Sequence, residues 1–352
     1  MAGLPHYQEG IVMIPLNRLV VALALVCVLS VSPVLATEPL VGLIVKSETN
    51  PYFTTMMRAA LEKARALGVQ LRTYSGAYDG DMQGQIEAIE DLVDAGARGI
   101  LIAPSDPVAL ADAVAMARKA GAMTIALDTP FDPTATVDAT FATDNFRAGE
   151  LIGMWAMARL GNESKRVRIG TLDGFETPIT VDVLRNQGFL SGLGVDVRDP
   201  GVRYDEGDPR VVGSGATGGT VAGGRAAMEA LVRLHSKIDV VYAINEPAAA
   251  GAYAALKALG MEEDVMIVTV DGGCRGVRDV AAGAISATAM QYPVRMASLG
   301  IEAVVAFVRT GKKPQNTPGL DFHDTGVTLV TDVPVPGIPS ITSEQALEEC
   351  WG

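Results

Sequence analysis

Short apolar runs and helix-length stretches take turns along almost the whole chain, and that alternation leaves few folds open to it. Strand-like runs at residues 41–45, 70–74, 99–103, 124–127 and 139–143 are separated by "YFTTMMRAALEKARALG", "DMQGQIEAIEDLVDAG" and "PVALADAVAMARKAG". In the second stretch Ile86, Ile89, Leu92 and Val93 share one helical face. Gly68, Gly96 and Gly121 close the three stretches, as glycine does at a helix C-terminus. Strands alternating with helices pair in parallel and are covered on both faces.

After Asp144 the pattern begins again. Strands are expected at 167–172, 195–203, 240–244, 265–270 and from "AISATAM" to Gln291, with helices at 180–193, 222–234, 247–259 and 274–282. The long helix "PVRMASLGIEAVVAFVRTG" and a last short strand, "VTLVTD", follow. The expected class is α/β: two doubly wound parallel-sheet domains joined by a three-segment hinge. One lobe would span 38–143 plus the returning helix 292–318, the other 145–290 plus 319–352. The chain would cross between them near Asp144, near Gln291 and between Asp321 and Asp332.

At the N-terminus, Arg18 precedes an apolar run ending in Val34-Leu35-Ala36, the pattern of a signal peptide cleaved near Ala36. Residues 1–36 are therefore read as a leader, with Met13 as an alternative initiator, and the mature protein as exported. Val26 stands before Cys27 where a lipoprotein signal wants a small residue, so Cys27 is read as removed with the leader. Export leaves Cys274 and Cys350, an even pair that in an oxidising compartment points to a disulfide. Its loop of about 75 residues would stabilise by roughly 4–5 kcal/mol. Two free buried thiols are the alternative.

What ends the strands carries the chemistry. In doubly wound sheets, ligands bind outside the carboxyl ends of the strands. Those ends here bring Lys46, Asp128, Asn245, Asp271 and Gln291, and the first strand runs on into Asn50, Tyr52 and Phe53. Carboxylates accept from hydroxyls, amides donate and accept, and Lys donates, while aromatic faces suit the C–H surface of a sugar. Asn50 is equally placed to cap the helix that Pro51 starts. A net charge of -13 without clustered Lys or Arg argues against nucleic acid. No Walker loop, nucleophile elbow or metal-spaced Cys/His cluster appears, so no catalytic residue, metal or cofactor is expected. "GSGATG", 213–218, matches a dinucleotide fingerprint but lacks its strand and acidic partner, and is read as a flexible glycine-rich loop.

The stretches "VGLIVKSETNPYF", "ILIAPSDPVAL", "TIALDTP", "FATDN", "RNQGF", "VVYAINEPAAAGAYAAL", "VTVDGGCRGV" and "ATAMQYPVRMASLG", in this order, resemble the periplasmic ribose-type sugar-binding proteins of ABC importers. The ending "LDFHDTGVTLVTDVPVPGI…CWG" is more similar to the fructose-binding branch. The resemblance implies the type I periplasmic binding fold, ligand contacts at Asn50, Tyr52, Phe53, Asp128, Asn245, Asp271 and Gln291, and a membrane permease as partner. A chemoreceptor is a further implied partner, and the protein is expected to be a monomer. Two family arginines are replaced, by Thr129 and Val183, and Lys46 stands where ribose binders have Ser. Lys46 would supply one lost donor and Asp182 or Arg185 would fill the second gap, which favours a fructose-like hexose or a related pentose, or a polyol. A secreted glycosidase built on Asp128 and Asp271 is the enzymatic alternative. A transcription regulator of the same fold would need a basic helix-turn-helix where this chain has a leader.

Overall fold

The computed structural model describes residues 1–3, 38–177 and 179–352. Nearly all of the expected leader, including Met13, Cys27 and the cleavage site near Ala36, lies outside the described residues. Among those described, no helix is long and apolar enough to cross a membrane.

From Pro39 onward the chain builds two six-stranded sheets of matching design. The first holds β1 (Leu40–Val45), β2 (Gln70–Ser75), β3 (Gly99–Ile102), β4 (Met123–Leu127), β5 (Ala139–Ala142) and β11 (His323–Asp324), in the order β11-β5-β4-β3-β1-β2. The second holds β6 (Ile169–Asp173), β7 (Val211–Ala216), β8 (Val240–Ala243), β9 (Met266–Asp271), β10 (Ala287–Met290) and β12 (Thr328–Val330), in the order β12-β10-β9-β8-β6-β7. All neighbours run parallel except β10 and β12. Position by position, β1 therefore corresponds to β6, β3 to β8, β4 to β9 and β5 to β10.

The central strands are apolar on both sides because helices cover both sides. Val41, Leu43 and Val45 of β1 pack with helices Pro51–Leu67 and Pro293–Thr310, through Met56, Ala60, Ile301 and Val304. Ile44 faces the other way, onto Ile89 and Leu92 of helix Met82–Asp94. In the second sheet, helices Asn145–Leu160 and Thr180–Gly192 cover one face, and Val221–Leu234 and Glu246–Leu259 the other. The first pair meets through glycines. A methyl at Gly149 would collide with the Arg185 carbonyl, and one at Gly188 with the Phe146 carbonyl. That close approach sets Arg185 beside Asn145.

Three expectations need correction. Residues 195–203 form turns rather than a strand: Asp199 accepts from the Gly201 N–H at 2.8 Å, and Arg198 takes φ +51°. The edge strand is instead β7, which runs into the segment read as a flexible glycine-rich loop and takes in its first four residues. Its glycines serve packing, since a methyl at Gly213 would strike Leu231 and one at Gly215 would strike Ala227, both on helix Val221–Leu234. Finally, His323 and Asp324, placed by sequence in the second lobe, extend the first sheet beside β5. The chain passes from the first sheet to the second after β5, returns to the first with helix Pro293–Thr310 after β10, and crosses again between β11 and β12.

Cys274, at the start of helix Cys274–Ala281, is bonded to Cys350, 76 residues later. The bridge ties the chain end to the turn that follows β9. On a loop of that length, removing it with Cys274→Ser/Cys350→Ser costs roughly 4–5 kcal/mol in the chain-entropy account. Thermal unfolding of the double variant is expected several degrees below that of the unmodified protein. An unchanged midpoint would contradict a stabilising role.

Candidate functional site

The carboxyl ends of the two sheets open onto one cavity, about 530 Å³ of empty space when the open solvent at its mouth is included. All eight residues singled out in the sequence line it: Lys46, Asn50, Tyr52, Phe53 and Asp128 from the first sheet, and Asn245, Asp271 and Gln291 from the second sheet and its exit.

Lys46 follows β1 directly and is 3% exposed. Its Nζ lies 3.9 Å from Asp128 Oδ2 and 5.9 Å from the centre of the Phe53 ring. Asn50 caps helix Pro51–Leu67, its Oδ1 accepting the Tyr52 N–H at 2.9 Å, so the capping role is real and uses one of its polar atoms. Pro51 then presets the first turn and places Tyr52 and Phe53 edge to face, 5.3 Å apart, in the cavity wall.

Asp128 directly follows β4 and Asp271 ends β9, the corresponding strands of the two sheets. Both carry a positive φ, +66° and +146°, which residues with a Cβ seldom adopt. Such outliers cost free energy and concentrate at functional sites. Here the turn at each strand tip lifts a carboxylate over the sheet end. Thr129 donates to Asp128 Oδ2 at 2.9 Å, and the Glu246 N–H donates to Asp271 Oδ2 at 3.2 Å.

Arg185, one of the two residues that sequence offered for the second gap, lines the cavity. Its Nε donates to Asn145 Oδ1 at 2.7 Å, Nη1 to the Ile244 carbonyl at 3.1 Å and Nη2 to Gln291 Oε1 at 2.9 Å. Nη1 also stands 3.9 Å from Asp271 Oδ1. Asp182 lines the cavity too, but its carboxylate is taken by Arg203 at 2.7 Å and by the N–H groups of Gly174 and Phe175. Asn245 is likewise occupied: its Oδ1 caps helix Glu246–Leu259 and its NH2 donates to the Gly219 carbonyl at 3.0 Å. Gln291 differs, because its Nε2 is buried without a hydrogen-bond partner. Phe175 and Val181 add apolar wall that sequence had not singled out. The one signal for Phe175 was its place just past the tip of β6.

Burial raises the Asp271 carboxyl from its ordinary 3.8 to about 7, against the opposing pull of Arg185. Burial, reinforced by the nearby Asp271 charge, also pushes Glu246 upward, although Glu246 accepts from the N–H groups of Gly272 and Gly273 and from Thr288. Asp182 rises to about 6 through burial and the neighbouring Asp173, with Arg203 opposing. Among the described residues there is no cluster of His, Cys, Asp and Glu able to hold a metal ion.

A family model for the periplasmic binding protein domain matches residues 41–313, most of the chain. This protein belongs to that family. Membership makes it a binding protein rather than an enzyme. It is 28% identical to the ribose import binding protein of Haemophilus influenzae over 78% of this chain and 87% of that protein. It is 26% identical to the D-allose-binding periplasmic protein of Escherichia coli, over 82% and 91% respectively. Its fold matches a galactofuranose binding protein with a TM-score of 0.74 at 22% identity, covering 89% of this chain and 98% of that one. It also matches a solute binding protein from Actinobacillus succinogenes with bound D-allose, with a TM-score of 0.73 at 20% identity, covering 88% and 100%.

A carboxyl whose pKa is higher folded than unfolded takes up protons on folding. Its contribution to stability is full below the unfolded value near 4 and is lost as pH rises through the folded value near 7. The ligand-free binding protein is therefore expected to melt higher at pH 6 than at pH 8, and Asp271→Asn to narrow that difference. An Asp271→Asn variant with an undiminished difference would contradict the assignment.

Proposed function

We propose that the chain is the exported substrate-binding component of an ABC importer and that the cavity captures a neutral monosaccharide, a fructose-like hexose or a related pentose. The observation that carries this reading is a matched pair of open clamps. Lys46 and Asp128 on one side, and Arg185 and Asp271 on the other, each stand 3.9 Å apart. That gap exceeds a hydrogen bond, yet a hydroxyl oxygen about 2.8 Å from both atoms fits just off the line joining them. It accepts from the cation and donates to the carboxylate. A carboxylate or ammonium group can do only half of this, so the clamps favour hydroxyls.

Gln291 Nε2 supplies a further donor in search of an acceptor. Tyr52, Phe53 and Phe175 offer apolar faces. The relatives named for ribose and allose support the same ligand class. Loss of the two family arginines, replaced by Thr129 and Val183, favours a ligand other than ribose itself.

In this reading the lobes are 38–143 with 292–318, and 145–290 with most of 319–352, the short strand His323–Asp324 going with the first. The ligand docks on Lys46, Asn50, the aromatics and Asp128, and hinge closure brings up Arg185, Asp271 and Gln291. It shifts the population only by binding the closed form better than the open one. A membrane permease would read the closed monomer in the periplasm, and a chemoreceptor is a second reader of the same shape. The leader would be cleaved near Ala36.

A thermal-shift panel of pentoses, hexoses and polyols tests the reading, with calorimetry on the responding compound. One or more is expected to raise the melting temperature and to be recovered chemically unchanged. Asp128→Ala and Asp271→Ala should each weaken binding by about 1–3 kcal/mol, roughly 5- to 150-fold. No response to any sugar or polyol, or two variants that bind like the unmodified protein, would overturn it.

A further inference from the structure

Trp351 is 7% exposed, a large aromatic side chain packed almost wholly inside the protein. It touches three segments that carry the cavity. Its ring meets the Tyr52 ring edge to face, with centres 5.2 Å apart. Its indole Nε1 donates to the Gln291 carbonyl at 2.9 Å. Its own carbonyl accepts the Cys274 N–H at 2.8 Å, and its ring lies against Gly273, in the turn that follows Asp271. The neighbouring Cys350 is bonded to Cys274.

We propose that Trp351 is a positioning residue of the ligand cavity, held in place by the Cys274–Cys350 bridge. The inference rests on reading that cavity as the ligand site. Tyr52 belongs to the first half of the cavity, Asp271 to the second, and Gln291 to the crossover between them. One indole braces all three from behind. Gln291 is gripped at its carbonyl by Trp351 and at Oε1 by Arg185, so its unpartnered Nε2 is held rather than free to turn away. Tyr52 is fixed between Phe53 and Trp351, with its hydroxyl on Met296 Sδ at 3.3 Å. The disulfide at the preceding residue gives the indole a fixed anchor. The bridge therefore serves binding as well as stability.

Three variants separate these roles: Trp351→Ala, Trp351→Phe, which keeps a ring against Tyr52 but loses the donor to Gln291, and Cys274→Ser/Cys350→Ser. Calorimetric titration with D-ribose, D-allose and D-fructose reads affinity, and amide hydrogen exchange of the ligand-free protein reads local order. Trp351→Ala is expected to weaken whichever sugar the unmodified protein binds by tenfold or more. Trp351→Phe should recover part of that loss, and the double serine variant should fall between them. Exchange should quicken in Trp351→Ala at residues 52–56 and 291–292 while β6, β8 and β9 keep their protection. Unchanged affinity in Trp351→Ala, or exchange that is unchanged at both segments or faster throughout, would overturn the proposal. If the unmodified protein binds none of the three sugars, the choice of ligand is at fault, and the exchange pattern alone decides the role of Trp351.

Discussion

Parallel strands must all end at the same edge of their sheet, because each return path runs back through a helix. That constraint puts Lys46, Asp128, Asp271 and Gln291 where they are. Each directly follows, or closes, a strand that is mostly apolar and almost wholly buried. Two sheets with the same strand order then present equivalent tips to a shared space. Asp128 and Asp271 show the equivalence most plainly: corresponding strands, the same residue type, and a positive φ at both.

Holding charges there without full partners is costly. A buried ion pair recovers its desolvation only with good geometry and further hydrogen bonds. Asp173, Asp182 and Arg203 meet that condition, with contacts from Asn186, Tyr204, Gly174 and Phe175, and behave as framework for the cavity wall. The two pairs inside the cavity do not. Each stays 3.9 Å apart, beyond hydrogen-bond reach. A hydroxyl placed in each gap would supply the missing bonds, so the unliganded cavity is left poised for a ligand instead of satisfied within itself.

Much of this was legible in the residues alone. The alternation of apolar runs and glycine-ended helices marked both sheets, since parallel strands buried on two faces leave an unmistakable trace. The eight candidates were legible because a strand tip is a position in sequence as well as in space. What escaped depended on long-range packing. The glycines of β7 looked like a loop, because their reason for being small lies across the sheet on Leu231 and Ala227. Residues 195–203 had apolar residues at strand-like spacing, but Asp196, Asp199 and Gly201 form turns. Between Asp182 and Arg185 sequence could not choose, because the deciding fact is Arg203, which captures Asp182 from a loop about twenty residues on. Asn245 was identified correctly as a cavity residue, yet both ends of its amide serve the backbone.

The central claim is that two cation–carboxylate pairs, one from each lobe, each hold one hydroxyl of the same small molecule. A crystal structure of the protein with the sugar that responds most strongly in the thermal screen tests it most directly. The account predicts one ligand hydroxyl oxygen within hydrogen-bond reach of both Lys46 Nζ and Asp128, and another within reach of both Arg185 and Asp271. A sugar bound outside this cavity, or one inside it that leaves either pair unbridged, would contradict it.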